Sequence, residues 1–407
     1  MRLGAFFMLC RLASFIPIVN GAAVTNATTF QVFQQKNPNF VKNASAIHYA
    51  DLARYNTTLN STYGVAAVAT VAAGSALTLG QAGTTPAIGV LLESEYVCPV
   101  TIGGQTLFLD FDTGSSDLWV FSTLTAGLKF GHQLYDPALS PTARLVPGTT
   151  WEITYADGSG SGGVVYKDVV SIGTVVSPNQ GVEPAVFVSP QFAFNPFSSG
   201  LLGLAFSFLN TASPEKQLTF FENVLPTLKE PLFTANLKHG EPGNYNFGYI
   251  DPTEYTGVIG WAPVTFPYGY PAYWQLDFTG FQVGATPYVE RLINGIADTG
   301  TTLLYLPPDV VIGYYAQVAG AFFDLEQAAW IFPCTSILPD FVFGIGAYRG
   351  VVPGEYINFE PLGDGTCYGG IQISEELGFS IFGDILLKAQ FVIFDHAGPR
   401  VGFANKL

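Results

Sequence analysis

The chain has 407 residues, and its composition (48% hydrophobic, 12% charged, 45 glycines) favours two or three domains built of short strands. Five of the 16 basic residues but only one of the 31 acidic residues lie before residue 87, which leaves 11 basic and 30 acidic residues in the remainder, a net charge of −19. Such a body repels nucleic acid and anionic lipid, so both are poor candidates for partners. The acidity suits either a protein that works in acid, where many carboxylates are protonated, or a solvated surface without functional meaning.

The N-terminus has the features of a secretory signal. Arg2 is followed by an apolar stretch, interrupted by Arg11, that ends in Val19-Asn20-Gly21. Residues 1–21 are therefore predicted to be a signal peptide cleaved after Gly21. A membrane anchor needs about 20 apolar residues in a row, and no later segment supplies them. We expect a soluble protein that is secreted from the cell.

Residues 22–86 differ from the rest of the chain. They are basic relative to the body, and residues 64–84 are rich in small residues, a composition that suits a cleavable linker. All four Asn-x-Ser/Thr sequons also lie here, at Asn26, Asn43, Asn56 and Asn60. The segment is predicted to be an activation pro-segment that ends between residues 65 and 90, because its charge complements the acidic body. A mobile, glycosylated N-terminal arm is the alternative.

Strands and turns dominate from about residue 90, which predicts an all-β protein. Glu95–Ile102 and residues 105–111 alternate around Gly103-Gly104, and this pattern predicts a β-hairpin. Residues 151–155 and 162–170 predict a second hairpin with its turn at Asp157-Gly158.

Helical stretches are few. The strongest are residues 215–225 and 308–319, the second with Asp309 as its expected cap.

An internal repeat divides the chain. The segment Phe111-Asp112-Thr113-Gly114-Ser115-Ser116 recurs in similar form as Ala297-Asp298-Thr299-Gly300-Thr301-Thr302. Each copy is followed by an apolar pair and a glycine, Leu201-Leu202-Gly203 and Ile381-Phe382-Gly383, and the glycine comes 91 and 85 residues after the aspartate. The repeat predicts two copies of one β lobe, an N-terminal lobe at residues 87–262 and a C-terminal lobe at residues 263–407.

The repeated motif suits paired carboxylates. An aspartate after apolar strand residues and before Thr-Gly-Ser/Thr is predicted to lie at a tight turn, where glycine admits backbone N–H groups and the hydroxyls add hydrogen bonds. If the two lobes meet, the two carboxylates cannot both ionise, and the pair holds one proton over a range of acidic pH. Such a pair activates water as general base and protonates a scissile carbonyl as general acid, without a metal or cofactor.

In these motifs the chain resembles the pepsin-family aspartic proteases, and in particular fungal extracellular enzymes of the penicillopepsin and aspergillopepsin type. The resemblance extends from about residue 90 to the C-terminus and rests on residues 96–104, 111–120, 155–159, 295–304, 378–384 and 394–395. It implies a bilobal pepsin-like fold with the active-site cleft between the lobes. It also implies a monomeric acid endopeptidase of broad specificity, acting on proteins and peptides, with its own pro-segment as inhibitor.

The resemblance also assigns roles to residues. Asp112 and Asp298 would be the catalytic pair, with Ser115 and Thr301 bonded to the outer carboxylate oxygens. Thr113 and Thr299 would tie the two loops together, and Gly114 and Gly300 belong to the same loops. Tyr155 would lie on a flap over the cleft, with its hydroxyl bonded to Trp119. Cys334 and Cys367 match the C-lobe disulfide of the family, whereas Cys98 is expected to be a buried free thiol.

Several residues leave alternatives open. Ala156 stands where the family has glycine, which puts flap opening in question. Asp110 either raises the pKa values of the catalytic pair or favours a basic substrate side chain; the alternative is a hydrogen-bonded polar residue at the edge of the cleft. Asp157 matches a fungal pattern linked to lysine before the cut bond. Lys42 either points at the catalytic pair in the zymogen or is solvated.

The rival interpretation is a catalytically inactive pepsin-fold binding module. Loss of either aspartate, or a bulky residue in place of Gly114 or Gly300, would be its signature. All four residues are intact, which favours the enzyme.

Overall fold

A computed structural model of the protein describes residues 79–407 apart from Leu91, Phe130, residues 155–159, Tyr268 and residues 375–377. The predicted signal peptide and nearly all of the predicted pro-segment, including Lys42, lie outside the described residues. The described part of the chain contains 24 strands and only short helices. The expectation of an all-β fold is confirmed.

The strands of the first half are β1 (Gly83–Val90), β2 (Glu95–Ile102), β3 (Gln105–Asp112), β4 (Leu118–Val120), β5 (Arg144–Thr154), β6 (Gly160–Ile172), β7 (Val175–Val188), β8 (Gly200–Gly203), β9 (Leu232–Asn236), β10 (Gly243–Phe247) and β11 (Tyr255–Pro263). Those of the second half are β12 (Gln275–Val283), β13 (Val289–Ala297), β14 (Leu304–Leu306), β15 (Phe322–Asp324), β16 (Ala329–Pro333), β17 (Phe341–Ile345), β18 (Tyr348–Val352), β19 (Asn358–Pro361), β20 (Thr366–Gly369), β21 (Ile371–Ile373), β22 (Ser380–Phe382), β23 (Phe391–Asp395) and β24 (Arg400–Lys406). The α-helices are α1 (Pro190–Ala193), α2 (Phe220–Val224), α3 (Pro308–Tyr315), α4 (Gly354–Ile357) and α5 (Asp384–Leu387).

The described strands form three sheets. The largest has 13 strands in the order β11-β24-β23-β9-β10-β1-β2-β3-β8-β4-β7-β6-β5, the second has seven in the order β18-β17-β12-β13-β22-β14-β21, and the third has four in the order β15-β16-β20-β19. The last two strands of the chain, β23 and β24, thus pair with strands of the first half. The lobe boundary at residue 262 stays a prediction, and β1 begins at Gly83, before the predicted lobe start at residue 87.

The sequence repeat has a counterpart in the sheets. In the first half β8 runs parallel to β3 and antiparallel to β4. In the second half β22 runs parallel to β13 and antiparallel to β14. Asp112 lies opposite Gly203, and Ala297, which precedes Asp298, lies opposite Phe382.

The glycine that ends each apolar pair is required by close packing. A Cβ atom at Gly203 would lie 2.5 Å from Ser116 Cα, and one at Gly383 would lie 2.3 Å from the carbonyl oxygen of Leu303. Backbone at this distance leaves no room for a methyl group. Each glycine therefore lets its segment lie directly against one Asp-Thr-Gly loop.

The predicted helices differ from the observed ones at their ends. Helix α2 begins only at Phe220, because Thr219 caps it by accepting a hydrogen bond from Glu222 N at 3.2 Å. The prediction of a helix from residue 215 is therefore wrong for its first five residues. Helix α3 begins at Pro308 as predicted but ends at Tyr315, and Asp309 is not its cap. Asp309 instead pairs with Arg291, with its Oδ1 2.9 Å from Nη2.

The cysteines are arranged as the sequence suggested. Cys334 and Cys367 form a disulfide between Cα atoms 4.9 Å apart, and Cys98 is a buried free thiol. The bridge joins the segment after β16 to β20, which closes a loop of 33 residues.

Replacing Gly203 or Gly383 by alanine is expected to destabilise the protein by about 1–3 kcal/mol, because the added methyl group overlaps rigid backbone. Thermal unfolding monitored by circular dichroism measures the effect. Gly313 in α3 is the matched control, since its Cβ would meet no atom within 4 Å. The G313A variant is expected to be neutral or more stable by up to about 1 kcal/mol. Equal melting temperatures for wild type, G203A and G383A would contradict the packing argument.

Candidate active site

Two aspartates end corresponding strands. Asp112 is the last residue of β3, and Asp298 directly follows β13. Both residues are 0% exposed.

Reciprocal hydrogen bonds hold the two loops against each other. The amide of Thr113 donates to Thr299 Oγ1 at 3.2 Å, and the amide of Thr299 donates to Thr113 Oγ1 at 2.9 Å. The Thr113 hydroxyl donates to the Ala297 carbonyl at 2.8 Å, and the Thr299 hydroxyl donates to the Phe111 carbonyl at 2.6 Å. The residues on either side of one aspartate therefore contact those on either side of the other.

Each carboxyl group receives the same two kinds of donor. Gly114 N donates to Asp112 Oδ1 at 2.9 Å, and Gly300 N donates to Asp298 Oδ1 at 3.1 Å. On the other oxygen, the Ser115 hydroxyl donates to Asp112 Oδ2. The Thr301 hydroxyl does the same to Asp298 Oδ2. These bonds fix the orientation of both carboxyl groups.

Backbone contacts hold each loop in its own half. Leu204 N donates to the Asp112 carbonyl at 2.7 Å, and Asp298 N donates to the Phe382 carbonyl at 3.1 Å. The Ser116 hydroxyl bonds to the Phe206 carbonyl at 2.7 Å. The apolar pair of each half, or the residues directly after it, thus holds the backbone of one loop in place.

Asp110 lies on the same strand two residues before Asp112 and is 6% exposed. Its position in β3 is opposite Val97 of β2 and Leu201 of β8. It is therefore buried within the sheet beside the candidate site, and its influence on the catalytic pair stays a prediction.

The predicted flap residues Tyr155, Ala156 and Asp157 lie outside the described residues. Strands β5 and β6, which precede and follow them, pair from Thr150↔Val164 to Thr154↔Gly160. Trp119 is 1% exposed and packs on Phe192 at 5.0 Å and on Trp151 at 6.2 Å between ring centroids. Its hydrogen bond to Tyr155 stays a prediction.

Comparison with known proteins decides the family. Residues 95–406 match the family model described as eukaryotic aspartyl protease. The chain belongs to that family. Endothiapepsin from Cryphonectria parasitica is 45% identical over 403 residues, which cover 95% of this chain and 93% of that protein. Aspergillopepsin-1 from Aspergillus fumigatus is 50% identical over 333 residues, 81% of this chain and 82% of that protein. Penicillopepsin-2 from Penicillium janthinellum is 46% identical over 399 residues, 97% of this chain and 96% of that protein.

The protein is therefore a pepsin-like aspartic endopeptidase with a bilobal fold, and its substrates are proteins and peptides. Among the helices of the described residues, none has the length and apolar character needed to cross a lipid bilayer.

A second pair of carboxyl groups lies next to the first loop of the protease and was not predicted from the sequence. Asp117 and Glu183 are 1% and 0% exposed. Asn210 Nδ2 lies between them, donating to Glu183 Oε1 at 2.8 Å and to Asp117 Oδ1 at 3.2 Å. Thr211 adds donors to Asp117 Oδ1 from its amide at 2.9 Å and its hydroxyl at 2.7 Å.

Burial gives this pair its electrostatic character. It raises the pKa of the Asp117 carboxyl, and burial together with the charge of Asp117 raises the pKa of Glu183 well above its usual value. Lys216 near Asp117 and Lys167 near Glu183 act in the opposite direction. Glu183 therefore stays protonated at a pH where an exposed glutamate is ionised. No local sequence signal joins the two, because they meet only through the β4–β7 pairing of Trp119 with Glu183.

Replacing Thr113 by valine is expected to destabilise the protease by about 2 kcal/mol or more. The nearly isosteric change removes a hydroxyl that donates to Ala297 and accepts from Thr299, so two buried backbone groups lose their partner. Thermal unfolding measures the loss of stability, and peptide hydrolysis measures any loss of activity that accompanies it. The T113S variant keeps the hydroxyl and is expected to remain close to wild type; a valine variant as stable as the serine variant would sink the argument.

The Glu183→Gln variant is expected to weaken the pH dependence of stability. Folding raises the pKa of both carboxyls above their usual values of 3.8 for Asp117 and 4.5 for Glu183. At pH values above these, the folded state therefore holds more protons than the unfolded state. The free energy of unfolding therefore falls as the pH rises from there. Melting temperatures between about pH 4 and pH 8 are expected to fall less for E183Q than for wild type.

The control for this comparison is Glu326→Gln, which changes an exposed glutamate. Its melting temperatures are expected to follow those of wild type. If the melting temperature of E183Q falls with pH as steeply as those of wild type and E326Q, the buried pair does not govern the pH dependence of stability.

Proposed function

We propose that the protein is a secreted acid endopeptidase that hydrolyses peptide bonds with a water molecule activated by Asp112 and Asp298. The observation that carries the proposal is the set of reciprocal bonds between Thr113 and Thr299, which brings the two loops into contact. Two carboxyl groups supported by matching donors on such loops suit a pair that shares one proton.

The proposed chemistry divides the two carboxyl groups by protonation. The ionised group takes a proton from water as general base, and the protonated group donates to the scissile carbonyl oxygen as general acid. Water adds to the carbonyl carbon, and collapse of the resulting tetrahedral species with proton transfer to nitrogen breaks the C–N bond. Ser115 and Thr301, with Gly114 and Gly300, would hold the carboxyl groups in orientation throughout.

Substrate selection is proposed to follow the family pattern. A flap carrying Tyr155, Ala156 and Asp157 would close over the cleft and exclude water from the reacting bond. Large apolar residues would flank the cut bond, and Asp157 would allow lysine just before it.

Processing is proposed to begin at the N-terminus. Residues 1–21 would direct secretion, and residues 22–86 would inhibit the zymogen until acid weakens their attraction to the acidic body. Lys42 would contribute an ammonium group facing the catalytic pair. The mature protease would act as a monomer.

Asp112→Asn and Asp298→Asn are each expected to lower kcat/KM at about pH 4 by roughly 10³-fold or more, because an amide neither accepts the proton of water nor shares one. Hydrolysis of peptides with Phe, Leu or Lys before the cut bond measures the loss and the specificity together. Asp364→Asn, at an exposed turn, is the matched control and is expected to leave the rates unchanged.

N-terminal sequencing after acid incubation completes the test. Wild type is expected to lose its pro-segment, whereas the Asp112→Asn protein stays intact. Wild-type rates in either aspartate variant would disprove the proposed mechanism. A wild-type protein that binds these peptides tightly without cutting them would favour the inactive binding module.

A further inference from the structure

Trp274 occupies a position between the two catalytic loops. It directly precedes β12 in the second half and is 1% exposed. Its indole Nε1 donates to the carbonyl oxygen of Leu204 at 2.9 Å. Leu204 follows β8 in the first half, and its own amide donates to the Asp112 carbonyl at 2.7 Å. A single residue, Leu204, thus links the side chain of Trp274 to the first loop through hydrogen bonds.

The backbone of Trp274 contacts the second loop. Its carbonyl oxygen accepts a hydrogen bond at 3.1 Å from the amide of Ala297, the residue before Asp298. The carbonyl of Ala297 in turn accepts from the Thr113 hydroxyl at 2.8 Å. A closed ring of hydrogen bonds therefore links Asp112, Leu204, Trp274, Ala297 and Thr113. The peptide bond between Asp112 and Thr113 completes the ring.

The indole ring itself is fixed by aromatic neighbours from both halves of the chain. Its centroid lies 4.7 Å from that of Phe206, 5.9 Å from that of Phe233 and 5.3 Å from that of Phe394. A second direct contact supports the same junction, because Phe206 N donates to the Ala272 carbonyl at 3.3 Å. The ring is held by packing and its one polar atom is hydrogen-bonded. A shift of one loop would therefore move Trp274 and, with it, the other loop.

We propose that Trp274 is a positioning residue that sets the spacing of the Asp112 and Asp298 loops through its indole N–H. It acts through Leu204 and Ala297 and does not touch the substrate. The proposal rests on the proposed function of the aspartate pair, since the spacing of two carboxyl groups determines how they share a proton.

The Trp274→Phe variant tests the N–H directly. Phenylalanine keeps an aromatic ring in the pocket but leaves the Leu204 carbonyl without its donor. We expect kcat to fall about 10- to 100-fold while KM changes little, because the defect lies in the alignment of the reacting groups and not in substrate contacts. The pH profile of kcat is expected to shift, because the two carboxyls no longer share the proton at the native spacing.

Trp330→Phe provides the matched control. The Nε1 atom of Trp330 is also buried, but it has no hydrogen-bond partner among the described residues. Trp330 lies in β16 of the four-stranded sheet, and its ring stacks on that of Tyr315 of α3 with 5.0 Å between the centroids. Its variant loses an equivalent N–H and is expected to keep the wild-type kcat and pH profile.

A second substitution separates the N–H from the size of the ring. Incorporation of β-(3-benzothienyl)alanine at position 274 replaces the N–H by sulfur in a side chain of nearly the same shape. Near-ultraviolet circular dichroism and the melting temperature establish that each variant is folded. If Trp274→Phe does not fold, the benzothienyl variant decides the question.

A lowered kcat and a shifted pH profile in the position-274 variants, with neither change in Trp330→Phe, would support the proposal. Folded position-274 variants with wild-type kcat and pH profile would overturn it. Failure of the proposed function is a separate result, because it would appear as activity retained by Asp112→Asn.

Discussion

The exchange of hydrogen bonds between Thr113 and Thr299 is the constraint on which the site depends. Two amides and two hydroxyls are paired across the junction, and both threonines are buried. Buried polar groups without partners are costly, so the loops cannot separate without losing several bonds at once. The cost of separation keeps the loops of Asp112 and Asp298 at one relative position.

The rest of the fold supports this junction from the second half. Asp384, the first residue of α5, donates from its amide to the Thr301 carbonyl at 2.8 Å. At the end of α5, Lys388 pairs with Glu93 of the first half, with 2.8 Å between Nζ and Oε2. Strands β23 and β24 then join the 13-stranded sheet. The segment that contacts the second loop is therefore anchored in the first half as well.

The sequence predicted those features that repeat or that lie close together in the chain. The two Asp-Thr-Gly boxes, the hairpin around Gly103-Gly104 and the glycine after each apolar pair are local patterns with a direct physical meaning. The helix at residues 215–225 was overestimated because propensity does not register that Asn210 Oδ1 accepts from Gln217 N at 2.7 Å and holds this segment in another conformation.

The features that the sequence did not predict depend on contacts between residues far apart in the chain. Asp117 and Glu183 are 66 residues apart and meet only because β4 and β7 run side by side. Trp274 and Leu204 are 70 residues apart and meet across the two halves. Neither Glu183 nor Trp274 belongs to a motif, so their significance follows from the position of the strands around them.

In the proposed mechanism, the two halves place Asp112 and Asp298 so that they share one proton. Neutron diffraction from crystals of the mature protein at about pH 4 tests this most directly, because it locates hydrogen nuclei on the carboxyl oxygens. We expect adjacent carboxyl groups with a single proton between them. Two well-separated carboxyl groups, or two adjacent ones that both carry a proton or both lack one, would contradict it.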